Sequence, residues 1–462
     1  MSLALRDHVS IQLVQPLRRL YRHARPSLRG AALAADEGRR MRERAAAWSP
    51  DQRREWMLAR LREVVRRAWR TTPYYRGMLD DLGFDPRADF SFDDFAALPV
   101  LERDDIHRAG QALVAATVPR RDLRQDATGG STGVPTVVWL GPGERGWRES
   151  GIEYYMRRIG LPPGVRAASL WGHHLDPKAS DGLRERVRAL LDNARELESF
   201  RLSPSALADY HAALERWQPR YLLSYASALG TLAAEVGARG WRPSYPTQCF
   251  VTGGEKLLPK DRELIESVFG RPVHERYGSR DVGLIAFQLD PRASFELEID
   301  WANVLVEPET GEPVSSILVT KLHADGMPML RYRVGDLARF PTGSRPGHPA
   351  FTFEEVLGRE LDRIWLPDGR WIHGIEFPHM MKDHPVREYQ VVQRDDASVT
   401  VRLVPAPTFG EGNRAGILRT LRDNLDGLSV SVELCEALPR TRANKVRFVL
   451  SEVEERRRAG QR

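Results

Sequence analysis

The chain has 462 residues, 42% of them hydrophobic and 29% charged, with 37 glycines and 31 prolines spread along its length. That profile excludes a disordered or fibrous protein, and the length allows about three domains, or one large domain plus one small. Sixty-nine basic residues against 63 acidic ones leave a net charge of +6, a mild excess that suits anionic small molecules without calling for nucleic acid.

Two cysteines, Cys249 and Cys435, cannot build a disulfide framework or a thiolate zinc cage. No apolar run approaches the ~20 residues needed to cross a bilayer. The opening text MSLALRDHVSIQLVQPLRRL has no continuous apolar leader, so a cytoplasmic location is expected. The first forty residues are arginine-rich with interspersed Val, Ile and Leu. That pattern leaves peripheral membrane contact as a lesser reading, whereas the arginines of the next segment, from 49 to 80, read as a solvated helix face.

From Ser49 to Asp80, Trp56, Leu58, Leu61, Val64, Val65 and Trp69 recur at helical spacing behind a Ser-Pro-Asp start, which predicts an amphipathic helix. After Leu101 the text alternates short apolar runs, at 136–140, 221–225 and 248–254, with helical stretches, the signature of α/β layers. Runs at 295–300, 304–308, 315–322, 338–343 and 351–358 have the alternation of antiparallel sheet. A boundary is expected near 358–363. Beyond it, strands near 389–394, 399–404 and 429–435 and a helix around 414–426 predict a small α+β unit, ending in a frayed tail.

The chemistry concentrates in short motifs. Thr128, Gly129, Gly130, Ser131, Thr132 and Gly133 combine backbone freedom with hydroxyls and suit a polyphosphate. The absence of Gly-Lys-Ser/Thr at its end argues against a P-loop. In order there follow Thr252-Gly-Gly-Glu-Lys256, Tyr277-Gly-Ser-Arg-Asp-Val-Gly283, Tyr332-Arg-Val-Gly-Asp-Leu337, Gly358-Arg359 with Asp362, and Pro439-Arg-Thr-Arg-Ala-Asn-Lys445. Taken singly, Gly253-Gly254-Glu255 is a strand-ending turn, Asp336 can cap a turn, and Lys445 is a surface lysine.

Together, in this order, the motifs resemble those of the AMP-forming adenylating enzymes. The text LREVVRRAWRTTPYYRGMLDDLGFDP followed by FDDFAALPVLERDDI is similar to the phenylacetate-CoA ligase family, particularly its branch found in capsular-polysaccharide gene clusters. The resemblance implies a large multi-layer α/β domain with mixed sheets (1–357), a hinge (358–363) and a small α+β carboxy-terminal lid (364–462). It implies that the loop from Thr128 to Gly133 holds the β- and γ-phosphates. Gly253, Gly254 and Glu255 would line adenine, and Tyr277, with Gly278 and Ser279 after it, would offer a ring for stacking. Asp281, where glutamate is usual, would help hold Mg²⁺. Asp336 would accept from the ribose hydroxyls, Arg359 would contact ribose or phosphate, and Lys445 would steady the charge that grows as carboxylate and α-phosphate join. Val134 and Leu361 also depart from the family's frequent residues.

Trp171, His173 and Tyr225 are candidates for the acid-binding wall. The expected activity is ATP-dependent activation of an aryl or acyl carboxylic acid as its adenylate, with transfer to CoA or to a small amine or hydroxyl. Two other readings stand beside it: a non-catalytic ATP-binding relative, and a basic scaffold peripheral to a membrane.

Overall fold

The computed structural model describes residues 7–127, 136–171, 193–199, 202–359, 363–374, 376–381, 384–425, 427–439, 449–453 and 456. The chain divides into two compact units, residues 1–334 with 338–356, and residues 335–337 with 357–462.

In the first unit, β1 (Arg124–Ala127) and β2 (Val137–Leu140) form an antiparallel hairpin closed by the pair Ala127 and Val137. The principal sheet uses β3 (Ala167–Leu170), β4 (Ala194–Leu197), β5 (Tyr221–Ser224), β6 (Cys249–Gly253), β7 (Val273–Ser279), β8 (Gly283–Phe287), β9 (Leu297–Ile299) and β13 (Thr352–Phe353). Their order is β4-β3-β5-β6-β7-β8-β9-β13. The first five run parallel, and β8, β9 and β13 continue antiparallel.

Parallel neighbours need crossovers, and the helices Pro204–Trp217, Ala226–Ala238 and Pro259–Phe269 supply them between β4 and β7. Strand β6 is buried at every residue, as expected for a central parallel strand. Leu222, Leu229, Phe250 and Ile265 close the core on that side.

A second sheet orders β10 (Val304–Pro308), β11 (Val314–Lys321), β12 (Tyr332–Arg339) and β14 (Glu355–Arg359) in sequence. The run at 351–358, read as one strand, is two: β13 joins the principal sheet and β14 the second. The strand expected at 338–343 lies earlier, so the Tyr332–Leu337 motif is itself strand.

The helix predicted over 49–80 is two helices, Pro50–Thr71 and Pro73–Asp81. It starts as the sequence indicates. Ser49 accepts from the Gln52 amide at 3.3 Å and its own amide donates to Gln52 at 2.9 Å, a reciprocal cap. It breaks at Thr72 (φ −123°, ψ 124°) because the following proline ring disfavours helical backbone there. Met57, Leu61, Val64 and Val65 point into the core with Val304, Val306 and Val319, each worth about 1.5–3 kcal/mol of apolar burial. The helices Gln15–Ala24 and Pro26–Ala45, which the alternating residues of the opening text do not announce, precede it.

In the second unit, β17 (Val386–Gln393) pairs antiparallel with β18 (Val399–Pro405). Parallel strands flank this pair, β19 (Val430–Leu434) beside β18 and β20 (Val449–Ser451) beside β17. The helix Glu411–Asn424 buries Ile417 and Leu421 on them. The Leu366-Pro-Asp-Gly-Arg-Trp371 stretch is the turn of a hairpin, β15 (Arg363–Trp365) and β16 (Trp371–His373). The Gln393 side chain clamps it by accepting from the Trp365 amide at 3.0 Å and donating to its carbonyl at 2.7 Å.

Candidate functional site

The parallel register gathers residues distant in sequence. Leu170 pairs with Ser224, Ser224 with Thr252, and Gly253 with Arg276, so β3, β5, β6 and β7 end at one edge of the sheet. The residues that emerge there are Trp171, Tyr225, Gly254 with Glu255, and Tyr277 through Ser279. The carboxyl edge of an open α/β sheet is where such folds bind ligands.

Trp171 stacks on Tyr225 with ring centroids 4.0 Å apart at 22°, and the Arg276 guanidinium lies 5.9 Å from the Trp171 centroid. Burial pushes the Tyr225 hydroxyl up to about 12, with Glu255 adding to the shift and Arg280 opposing it. Burial also lowers Arg276 from its ordinary value. The edge thus offers an aromatic surface with a desolvated cation beside it.

Glu255, expected to line a purine, accepts from the Ser227 amide at 3.0 Å and so caps the helix Ala226–Ala238. Its glycine neighbour Gly254 holds φ +77°, which turns the chain off β6. Tyr277 is half-buried with its ring edge-on to Phe353 at 5.9 Å. At Gly278 a β-carbon would meet the Gly283 carbonyl oxygen at 2.2 Å, so only glycine permits the β7–β8 bulge. Ser279 accepts from the Val282 amide at 3.3 Å and closes the turn that carries Asp281.

Asp281 is buried. One carboxylate oxygen accepts from the Tyr332 hydroxyl at 2.8 Å, and the other has no hydrogen-bond partner among the described residues. The backbone beneath it is held by Arg148, which donates to the carbonyls of Arg280 (3.0 Å) and Asp281 (2.6 Å). Arg148 pairs with Glu144 at 2.5 Å, and Glu144 also accepts from Lys321 at 3.0 Å. The Glu144 and Lys321 side chains are only 4% and 3% exposed. Burial lowers the Lys321 ammonium from its ordinary value, with Glu144 opposing.

Sequence reasoning missed this support. Glu144 and Arg148 sit four apart on the helix Pro142–Arg158, a spacing that signals a pair. Nothing in the text announces Lys321, 177 residues away.

Arg280 reaches back to the loop region, 3.5 Å from Asp126 and 3.5 Å from the Ala127 carbonyl. The end of β1, which leads into the predicted phosphate loop, is therefore tied to the edge of the principal sheet. On the far flank Thr136 meets His107 at 3.1 Å. Thr128, Gly129, Gly130, Ser131, Thr132 and Gly133, together with His173 and Lys445, lie outside the described residues.

The second unit holds its own pair: Asp336 on β12 and Arg359 at the end of β14, 3.4 Å apart, with side chains 18% and 46% exposed. Expected separately around a ribose, they are partners. Among the described residues, no group of three or more His, Cys, Asp or Glu side chains is placed to hold a metal by protein ligands alone.

No protein-family profile matches the chain. The phenylacetate-coenzyme A ligase of Thermus thermophilus is 25% identical over 431 residues, covering 85% of this chain and 94% of the relative. That of Aromatoleum evansii is 25% identical over 444 residues, covering 87% and 95%. Among solved structures, a 2-hydroxyisobutyryl-CoA ligase in the postadenylation state with R3-HIB-AMP superposes with TM-score 0.68 at 20% identity, over 89% of this chain and 92% of that one. The α/β architecture of mixed sheets is thus shared with that structure.

Proposed function

We propose that the chain is an ATP-dependent, AMP-forming ligase of the phenylacetate-CoA ligase kind, which activates an aryl or acyl carboxylic acid and passes it to CoA. A carboxylate oxygen of the acid attacks the α-phosphorus of ATP, and the bond to the bridging oxygen breaks with loss of pyrophosphate. The thiol sulfur of CoA then attacks the acyl carbonyl, its proton passes to solvent, and AMP leaves. An amine or hydroxyl acceptor would follow the same course. The finer placement in the branch found in capsular-polysaccharide clusters rests on the text at 61–86 and 92–106.

The observation that carries this reading is the convergence, at one carboxyl edge, of the glycine turns, an aromatic pair and a buried carboxylate with one unpartnered oxygen. The similarity over most of the chain to two curated ligases supports it. Trp171 and Tyr225, with Arg276 beside them, form a wall for an aromatic or apolar acid. Gly253, Gly254 and Tyr277 serve the adenine, Asp336 and Arg359 the ribose, and the loop Thr128–Gly133 the outer phosphates.

The free oxygen of Asp281 fits one position on Mg²⁺, a hard cation that takes oxygen ligands and keeps water and phosphate for the rest. When bound, the ion neutralises phosphate charge. Lys445 steadies the reacting oxygens, and residues 358–363 act as the hinge that lets the lid exchange faces between half-reactions.

The test is ATP–pyrophosphate isotope exchange with a panel of aryl and acyl acids, with hydroxylamine trapping of the acyl adenylate. Exchange dependent on one acid is expected, and Lys445→Met should lower it roughly 10²–10³-fold, the scale of one lost electrostatic group. Exchange with no acid, or undiminished by the substitution, sinks the reading.

A further inference from the structure

The amino-terminal helix Gln15–Ala24 is amphipathic in an unusual sense, because it is the polar face that meets the protein. Arg22 forms a two-pronged pair with Glu149, one arm at 2.6 Å. Arg19 and His23 both reach Asp36, at 2.7 and 2.9 Å. The segment before it is fixed as well. Asp7 accepts from the Arg166 amide at 2.9 Å and from Asn193 at 3.1 Å, Ser10 is buried, and Ile11 packs on the core around Tyr155 and Leu161.

Turned outward, Leu13, Leu17, Leu20 and Tyr21 are 58%, 64%, 67% and 53% exposed. Spaced by four, three and one, they make a single stripe. They are four of the ten large apolar side chains exposed among the described residues, gathered within nine positions. A helix normally buries such a stripe, so an apolar face held outward by ion pairs on its back requires an occupant.

Two observations choose among occupants. The stripe offers on the order of 400 Å² of apolar surface, about half of the ~800 Å² that each partner of a stable dimer buries. Its rim is basic: beyond Arg19 and Arg22, which the acids on the back neutralise, residues 24–30 carry Arg25 and Arg29 and no acid. Arg25 and Arg29 are exposed, and Arg25 lies at the rim, bonded to the Tyr21 hydroxyl at 2.5 Å. Leucines at the centre with tyrosine and arginine at the margin suit an interfacial helix on an anionic bilayer.

We infer that this helix docks the protein on the surface of an anionic membrane, with Leu13, Leu17 and Leu20 in the acyl boundary and Arg25 and Arg29 at the headgroups. None of these residues is among those assigned to ligation, so the inference does not depend on that reading. It takes up the membrane-peripheral reading that stood beside the ligase in the sequence, with the leucines as the side that enters the bilayer and the arginines at its margin.

The experiment is co-sedimentation of the full chain with phosphatidylglycerol-rich vesicles, beside pure phosphatidylcholine vesicles and over a salt series. Binding to the anionic vesicles that weakens with salt is expected. Leu17→Glu with Leu20→Glu should lower the bound fraction at least about tenfold. Leu82→Glu, which changes an exposed leucine elsewhere, should bind as the parent does. Circular dichroism melts should match for all three proteins, since no inward contact is altered. Failure of the parent to sediment with any vesicle, or an equal loss in Leu82→Glu, overturns the inference. So does a concentration-dependent dimer that the double substitution dissolves, for then a second copy is the occupant.

Discussion

Two carboxylate–cation clusters, one in each unit, differ in their exposure to water. Glu144 with Lys321 and Arg148 is sealed in the first unit, its carboxylate and ammonium nearly without exposure. Asp336 with Arg359 in the second unit is partly open to water. In the sealed set, desolvation is repaid only while every partner is present, and the set holds the Arg280 and Asp281 carbonyls in one place. The open pair is weakened by solvent screening, and under the proposed function a diol or phosphate would compete for either member. Rigidity belongs where a turn must be held, and exchangeability where a ligand must enter.

The sharpest way to break this comparison is to remove the shared carboxylate. Glu144→Ala leaves Lys321 and Arg148 without their common partner and should cost about 3–5 kcal/mol of stability. Denaturant melts read this, and a loss below 1 kcal/mol would mean the network is a bystander. Next in size is Asp281→Asn, which keeps the shape but removes the charge. It should lower pyrophosphate exchange roughly 10²-fold or more, with the melting midpoint little changed. Equal losses of activity and stability would assign Asp281 to structure alone.

A third prediction concerns the ring that lies along the same buried wall. His323 stacks on Trp147 at 3.5 Å. Its Nδ1 accepts from Arg60 at 3.1 Å and its Nε2 donates to the Ala302 carbonyl at 2.9 Å, which fixes the neutral tautomer. Burial, and then Arg60, hold it well below its usual range. The unfolded ring takes up a proton near pH 6.5 while the folded one does not, so stability is full above that pH and declines as pH falls. The slope is about 1.4 kcal/mol per pH unit below 6.5. His323→Gln should flatten that decline, as followed by urea midpoints between neutral and mildly acidic pH. An unchanged slope would show that the ring protonates in place.

The smallest effect belongs to the open pair. Asp336→Asn should raise the KM for ATP about tenfold, the scale of one charge-assisted contact, and leave kcat nearly as it was. A fall in kcat with KM unaltered would place Asp336 in the chemical step and undo the contrast with Asp281.

Much of the fold was legible where a local rule operates alone. The Ser49 start of the first long helix and the apolar run of β6 follow from capping chemistry and burial; β10 and β11, read from alternation, are strands but are buried along nearly their whole length. Errors arose where one residue overrode a period. Pro73 cuts the long helix at Thr72, and the run 351–358 feeds two sheets because its residues reach different neighbours. Asp336, which taken singly could cap a turn, is in the interior of strand β12.

The order of short motifs was written in the text, and with it the candidates at the sheet edge: Trp171, Tyr225, Gly253 to Glu255, and Tyr277 to Asp281. Tyr225 and Gly253 to Glu255 lie at the ends of apolar runs that hydropathy marks, whereas β3 (Ala167–Leu170) and β7 (Val273–Ser279) carry no such mark. Their meeting was decided by parallel pairing, which joins β3, β5, β6 and β7 across more than a hundred residues of chain. The same non-local pairing set Lys321 against Glu144, gave Glu255 a helix to cap and made Asp336 the partner of Arg359. It also decided which face of the amino-terminal helix turns outward, because the acids that hold its arginines, Asp36 and Glu149, come from other helices. A sequence records what each residue can do, whereas the partner that uses that capacity is chosen by the path of the chain in space.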